Sequence, residues 1–89
     1  MSRLYSPSGN PTCGYRIEHT PYLKGNAGPT HWYRVWTEPG EEPEFGPVFA
    51  KQSEAYRDAA QNWRDCGSGS PRLPATLDAI ATKLEKRGE

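Results

Sequence analysis

Two cysteines and two histidines are the residues of this 89-residue chain best suited to bind a metal ion. They are Cys13, His19, His31 and Cys66. Structural zinc sites usually take their ligands in close pairs such as Cys-x2-Cys, so that each pair lies on one turn. The four residues here are scattered at wide, unequal intervals. We therefore expect neither a metal site nor a cofactor.

A cysteine nucleophile would need a neighbouring base or a helix start to stabilise its thiolate. Cys66 falls at the end of a predicted helix, where the partial negative charge disfavours a thiolate. Cys13 has no evident partner, and neither residue belongs to a CxxC motif. In a reducing cytosol we expect two free thiols. No catalytic residue is predicted, and the chain is interpreted as not being an enzyme.

An acidic turn occupies residues 38–44, EPGEEPE, and contains Glu38, Glu41, Glu42 and Glu44. General acid catalysis needs a carboxyl group that burial keeps protonated, and a short Pro/Gly turn offers none. The turn is nevertheless the densest charge run in the chain. It either serves solubility or attracts a basic partner surface by electrostatic steering.

The strongest strand prediction is THWYRVWT, residues 30–37, which is dense in aromatic and β-branched types. Alternation places Trp32, Arg34 and Trp36 on one face. Aromatic rings interleaved with a guanidinium occur at protein interface hot spots and on surfaces that stack nucleic acid bases. This face is therefore core covered by the C-terminal helix, a protein interface, or a nucleic acid surface with Arg16 beside it.

The order of the predicted strands and helices indicates an α+β domain. We expect a three-stranded antiparallel sheet packed by one helix (βββα) and followed by a second helix. The predicted parts are an irregular lead-in (1–12) that Leu4 and Tyr5 could pin, the βββα core (13–66), a Gly/Ser hinge (67–73) and a C-terminal helix (74–87). Strands are expected at residues 13–19, 30–37 and 45–49. Pro47 cannot donate a ladder hydrogen bond, so the third strand lies at an edge or contains a bulge.

Ser53 is expected to cap the first helix, which repeats apolar residues at Tyr56, Ala59, Ala60 and Trp63. The second helix carries an apolar stripe at Leu77, Ile80, Ala81 and Leu84. That stripe needs a cover, which is the sheet face with Trp32 and Trp36, a partner, or a second copy of the chain. The protein is therefore expected to be a monomer or a homodimer through this helix.

The connection at residues 20–29, TPYLKGNAGP, is longer than the commonest hairpin loops. Long ordered loops in small domains often contact partners. Tyr22 and Lys24 are therefore included among the candidate contacts, with an unstructured excursion as the alternative.

Charge and composition narrow the partner class. Eleven basic and eleven acidic residues cancel, whereas a nucleic acid binder usually carries a basic excess. Nucleic acid is therefore the less favoured partner. The chain has no apolar run long enough for a signal peptide or a membrane span, so we expect no membrane partner and a cytoplasmic location, in the producing or host bacterial cell.

The stretch FGPVFAKQSEAYRDAAQNW resembles the strand-to-helix corner of the double-stranded RNA-binding domain. That family places a lysine cluster at the start of the helix, where this chain has Lys51-Gln52-Ser53-Glu54-Ala55. The Pro-rich lead-in also leaves no room for the helix that precedes the strands in the family. No RNA-contacting residue is therefore carried over.

In size, acidic turn, aromatic content and strand-strand-strand-helix layout, the chain is similar to phage-encoded inhibitors such as anti-CRISPR proteins. The resemblance implies a small accessory protein that blocks a larger host complex, often one that binds nucleic acid. The expected function is therefore docking on a larger protein, through the candidate residues Tyr22, Lys24, Trp32, Arg34, Trp36, Glu38, Glu41, Glu42 and Glu44. The alternative is a nucleic acid binder using the Arg/Trp face.

Overall fold

The computed structural model describes residues 3–7, 9–20, 31–66 and 71–89. Within them the chain forms β1 (Gly14–Thr20), β2 (His31–Thr37), β3 (Glu44–Phe45), α1 (Gln52–Cys66) and α2 (Arg72–Lys86). The three strands form one antiparallel sheet in the order β1-β2-β3, and both helices follow the strands. The predicted α+β class is confirmed.

The register of β1 and β2 decides which side chains share a face of the sheet. Tyr15 lies opposite Trp36, and Ile17 lies opposite Arg34. Directly paired residues point to the same face, so these side chains share the inner face, on which α1 packs. Arg16 is paired with Val35 on the outer face. The prediction that Arg16 lies beside the Arg/Trp face is therefore wrong.

The third strand is shorter than predicted because a bulge interrupts it. Only Glu44–Phe45 pair regularly, and Phe49 forms an isolated bridge with Trp32. Val35 to Trp32 is a step of three residues on β2, whereas Phe45 to Phe49 is a step of four. One extra residue is thus accommodated around Pro47, as expected for a bulge on an edge strand.

The lead-in is tied to the free edge of β1 by one bridge. The Tyr5 amide donates to the Tyr15 carbonyl oxygen at 2.6 Å, and the Tyr15 amide donates to the Tyr5 carbonyl oxygen at 2.9 Å. Gly14 permits this contact, because a Cβ there would lie 2.4 Å from the Tyr5 carbonyl oxygen. Tyr5 thus pins the lead-in, as the sequence indicated.

Helix α1 begins at Gln52, one residue before the predicted cap. Ser53 lies inside the first turn and is buried, and its backbone amide donates to the Glu89 carbonyl oxygen at 3.1 Å. The prediction of Ser53 as N-cap is therefore wrong, since a free amide of this first turn is satisfied by the end of the chain instead.

Helix α2 begins two residues earlier than predicted, with Pro74 in its first turn. Residues 67–70 of the predicted hinge lie outside the described residues, and residues 72 and 73 belong to the helix. The apolar stripe of α2 packs on α1 and not on the sheet strands. It joins one core with α1 and β1, formed by Tyr15, Ile17, Ala55, Tyr56, Ala59, Ala60, Leu73, Leu77, Ala81 and Leu84. Neither the sheet face nor a second copy is needed to bury it.

Candidate functional site at the acidic turn

The side chains of Trp32, Arg34 and Trp36, which form the predicted Arg/Trp face, lie between the sheet and α1. The Trp36 ring centroid lies 4.7 Å from that of Tyr15 and 5.9 Å from that of Trp63 on α1. Trp32 packs at the margin of the core. One of the three alternatives for this face was a core position under the C-terminal helix. The face is covered, but the element that covers it is α1.

Arg34 is held on this face by an ion pair that sequence reasoning missed. Its Nε donates to Oδ2 of Asp58 at 2.6 Å, and the two side chains are only 12% and 23% exposed. Gly46 crosses close to the pair, because a Cβ at this position would lie 2.5 Å from Cγ of Arg34. Sequence spacing does not reveal this partner, because Asp58 lies 24 residues after Arg34 and on another element. Arg34 is therefore largely withdrawn from partner contact.

The acidic turn is exposed at all four glutamates, Glu38, Glu41, Glu42 and Glu44. It is closed by a hydrogen bond from the Glu41 amide to the Glu38 carbonyl oxygen at 3.1 Å, with Gly40 at φ +80°. The ion pairs found among the described residues involve none of the four carboxylates. Their charge is therefore presented to solvent, where a basic surface can reach it.

A cavity of about 280 Å³ opens at the base of this turn. We call it the aromatic-acidic cavity, and it is lined by Tyr15, Trp36, Glu38, Glu44, Asn62, Trp63 and Cys66. It brings together Trp36 and two of the predicted glutamates. The sequence did not reveal that Tyr15, Asn62, Trp63 and Cys66 meet them, because these residues come from β1 and from the far end of α1.

One wall of the cavity is a protonated tyrosine at ordinary pH. The Tyr15 hydroxyl donates to Oδ1 of Asn62 at 2.5 Å. Burial raises the pKa of Tyr15 to about 12, and the nearby Arg34 lowers it only in part. Tyr15 therefore contributes a neutral, fixed aromatic surface.

The cysteines and histidines do not assemble into a reactive group in the part of the chain that the structure describes. Cys13 is half-buried and Cys66 is exposed, and both are free thiols. Burial raises the pKa of the Cys13 thiol, and Glu38 raises it further. Among the described residues, no three His, Cys, Asp or Glu side chains are grouped so as to hold a metal ion.

Two further predicted contacts, Tyr22 and Lys24, lie outside the described residues. Among the described residues, the large apolar side chains that are exposed are those of Phe45 and Val48 on the bulged edge, at 65% and 42% exposure. Neither was a candidate in the sequence. Phe45 directly follows the acidic turn, and Val48 lies three residues further along the chain.

No protein-family model matches the chain, and no similarity to a curated protein or to a solved structure was found. Across residues 3–7, 9–20, 31–66 and 71–89, no helix has the length and apolar character needed to cross a bilayer.

Proposed function

We propose that this protein is a non-enzymatic interaction module that docks on the basic surface of a larger protein through its acidic turn. The observation that carries the proposal is the set of four exposed glutamates with no ion pair among the described residues. Like-signed charge on one short turn is self-repulsive, so it favours association with an oppositely charged surface.

The partner class follows from the sign of the charge. Surfaces that bind nucleic acid are basic because they neutralise phosphates. An acidic turn is attracted to the same surfaces and competes with nucleic acid for them. We therefore propose that the protein inhibits a nucleic-acid-binding complex in the bacterial cytoplasm. A CRISPR effector is one such complex, as the resemblance to phage-encoded inhibitors implies.

Direct nucleic acid binding has less support from the arrangement of the arginines. Arg34 is paired with Asp58, and Arg16 is paired with Glu18 at 2.8 Å on the opposite face. The two guanidinium groups therefore do not form one phosphate-binding surface. Titration with single- and double-stranded oligonucleotides at two salt concentrations measures this alternative, and salt-dependent binding would favour it.

The test of the docking function uses two variants with the same change of net charge. Wild-type protein, Glu41→Lys/Glu42→Lys and the control Glu54→Lys/Asp65→Lys are used to capture partners from a cell lysate, and the captured protein is then purified. Association rates are measured by surface plasmon resonance, and competition is measured with the partner's nucleic acid. Circular dichroism confirms that each variant is folded.

We expect the turn variant to associate on the order of tenfold more slowly and to compete less well, because electrostatic steering depends on where the charge lies. The control should associate within about twofold of wild type. Equal slowing by both variants, or no slowing by the turn variant, would overturn the docking role of the acidic turn.

A further inference from the structure

We infer that the aromatic-acidic cavity is a pocket for one arginine side chain of the partner protein. This inference rests on the proposed docking function and names the chemical group of the partner that the cavity binds. It uses the residues at the base of the turn, Glu38 and Glu44, and not the whole acidic surface.

The walls of the cavity suit a flat cation. The Trp36 and Trp63 ring centroids lie 5.9 Å apart with their planes inclined at 33°, and the Tyr15 ring lies against Trp36. Indole faces attract cations more strongly than other aromatic side chains do. A guanidinium is planar and weakly hydrated, so it stacks on such a face better than an ammonium group.

The charge of the cavity is not balanced by its described lining. Glu38 and Glu44 supply two carboxylates, and no described lining residue is basic. Neither carboxylate belongs to an ion pair among the described residues. A guanidinium presents five N–H donors in a fixed fork that matches carboxylate geometry, whereas a lysine presents a single point charge.

The cavity has room for one side chain of a partner. Pockets for drug-sized molecules and cofactors span roughly 300 to 1,000 Å³. A volume of about 280 Å³ lies just below that range and is open to solvent at the turn. A long side chain can enter from the surface of a docked partner, with its charged end between the two glutamates.

The binding experiment uses N-acetyl-arginine amide as the ligand. The comparison ligands are N-acetyl-citrulline amide, a neutral analogue of the same shape, and N-acetyl-lysine amide. Nuclear magnetic resonance follows the indole N–H signals of Trp36 and Trp63, with that of Trp32 outside the cavity as the internal reference. We expect the arginine compound to shift the two cavity signals saturably, in the millimolar range, and the citrulline compound to leave them unchanged.

Two pairs of substitutions on the same turn separate a pocket from a charged surface. Glu38→Gln/Glu44→Gln removes the cavity carboxylates, whereas Glu41→Gln/Glu42→Gln removes the same charge from residues that do not line the cavity. We expect the first pair to weaken arginine binding by about tenfold and the second by less than about twofold. Equal shifts with citrulline, lysine bound as tightly as arginine, or equal weakening by both pairs would overturn the inference.

The two proposals fail in different ways. If arginine amide does not bind but reversal of Glu41 and Glu42 still slows partner association, the docking function stands and the arginine pocket is rejected. If arginine amide binds through Glu38 and Glu44 while no change in the turn affects a captured partner, the pocket stands and the docking function is rejected.

Discussion

Arg34 shows how one ion pair decides whether a charged side chain is available for binding. On an open strand face it would be available to a phosphate or to an interface, but in the structure it faces Asp58 from α1. Largely buried ion pairs contribute little net stability as a pair, but removing one partner leaves a charge without compensation. Arg34 therefore stabilises the contact between β2 and α1 and is removed from the candidate site.

Asp58→Ala should lower the free energy of unfolding by about 3 kcal/mol, because Arg34 keeps its partly buried position without a partner. The matched control is Glu18→Ala, which breaks the Arg16–Glu18 pair, whose side chains are 31% and 32% exposed. That change should cost at most about 1 kcal/mol. Urea denaturation measures both, and equal costs would contradict the structural role assigned to Asp58.

Two buried tyrosines predict a loss of stability at alkaline pH. Burial raises the pKa of Tyr15 to about 12. Burial also raises the pKa of Tyr56, and its hydrogen bond with the Tyr5 hydroxyl raises it further. The folded state therefore holds these protons more tightly than the unfolded state, in which a tyrosine titrates near pH 10. The resulting stability is complete below about pH 10 and is lost as the pH rises toward the folded pKa values.

Each of these tyrosines should lower the free energy of unfolding by up to about 1.4 kcal/mol per pH unit between about pH 10 and about pH 12. Urea denaturation at a series of alkaline pH values measures the slope. Tyr15→Phe removes one of the two groups and should make the slope shallower by roughly half. A stability that does not change over this interval, or that rises, would contradict the burial of both hydroxyl groups.

At the scale of the elements, the bulged edge β3 is positioned by what lies beneath it. The Gly46 amide donates to the Arg34 carbonyl oxygen at 2.9 Å, and the backbone passes directly over the Arg34–Asp58 pair. The bulge at Pro47 lets the chain leave the ladder and rejoin it at Phe49. This arrangement directs the acidic turn and the exposed Phe45 toward the same end of the sheet.

Gly46→Ala should destabilise the fold by about 1 to 3 kcal/mol, since its Cβ would lie 2.5 Å from Cγ of Arg34 and 2.9 Å from Oδ2 of Asp58. Val48→Ala, in the same bulge but exposed, should change stability by no more than about 0.5 kcal/mol. Thermal denaturation compares the two variants. A Gly46→Ala protein as stable as wild type would show that β3 does not approach the ion pair this closely.

At the scale of the whole molecule, α1 is the element on which both the sheet and α2 pack. Arg57 on α1 also pairs with Asp78 and Glu85 of α2, and Arg64 pairs with Asp78. Since one core includes residues of β1, α1 and α2, the two helices and the sheet should unfold together. The sequence predicts a single domain made of a βββα core, a hinge and a C-terminal helix, and the cooperativity of unfolding measures whether that helix belongs to the same unit.

Leu77→Ala should lower the free energy of unfolding by about 2 to 5 kcal/mol, because Leu77 is fully buried between the helices. Circular dichroism follows the helices, and fluorescence follows the tryptophans at the contact of sheet and α1. Both transitions should shift by the same amount, whereas Lys83→Ala on the exposed side of α2 should shift neither by more than about 0.5 kcal/mol. A shift in circular dichroism alone would identify α2 as a separate unit.

The acidic turn could be identified from residue types alone, because a dense run of like charges among prolines and a glycine cannot be buried and must lie at the surface. An edge position or a bulge for β3 followed from Pro47, which lacks an amide donor whatever surrounds it. The alternation of Trp32, Arg34 and Trp36 followed from the period of a strand. These properties are local, and the sequence alone determined them.

The cover of that face, the partner of Arg34 and the cavity beside the turn were decided only by the tertiary structure. Each depends on side chains from elements far apart in the chain, such as Asp58 and Trp63 on α1 and Tyr15 on β1. Periodicity shows that a helix has an apolar stripe but not which surface the stripe meets, since burial against any apolar surface has a similar free energy. The sequence therefore predicted what each element exposes, and the packing of α1 between the sheet and α2 determined which of those side chains meet.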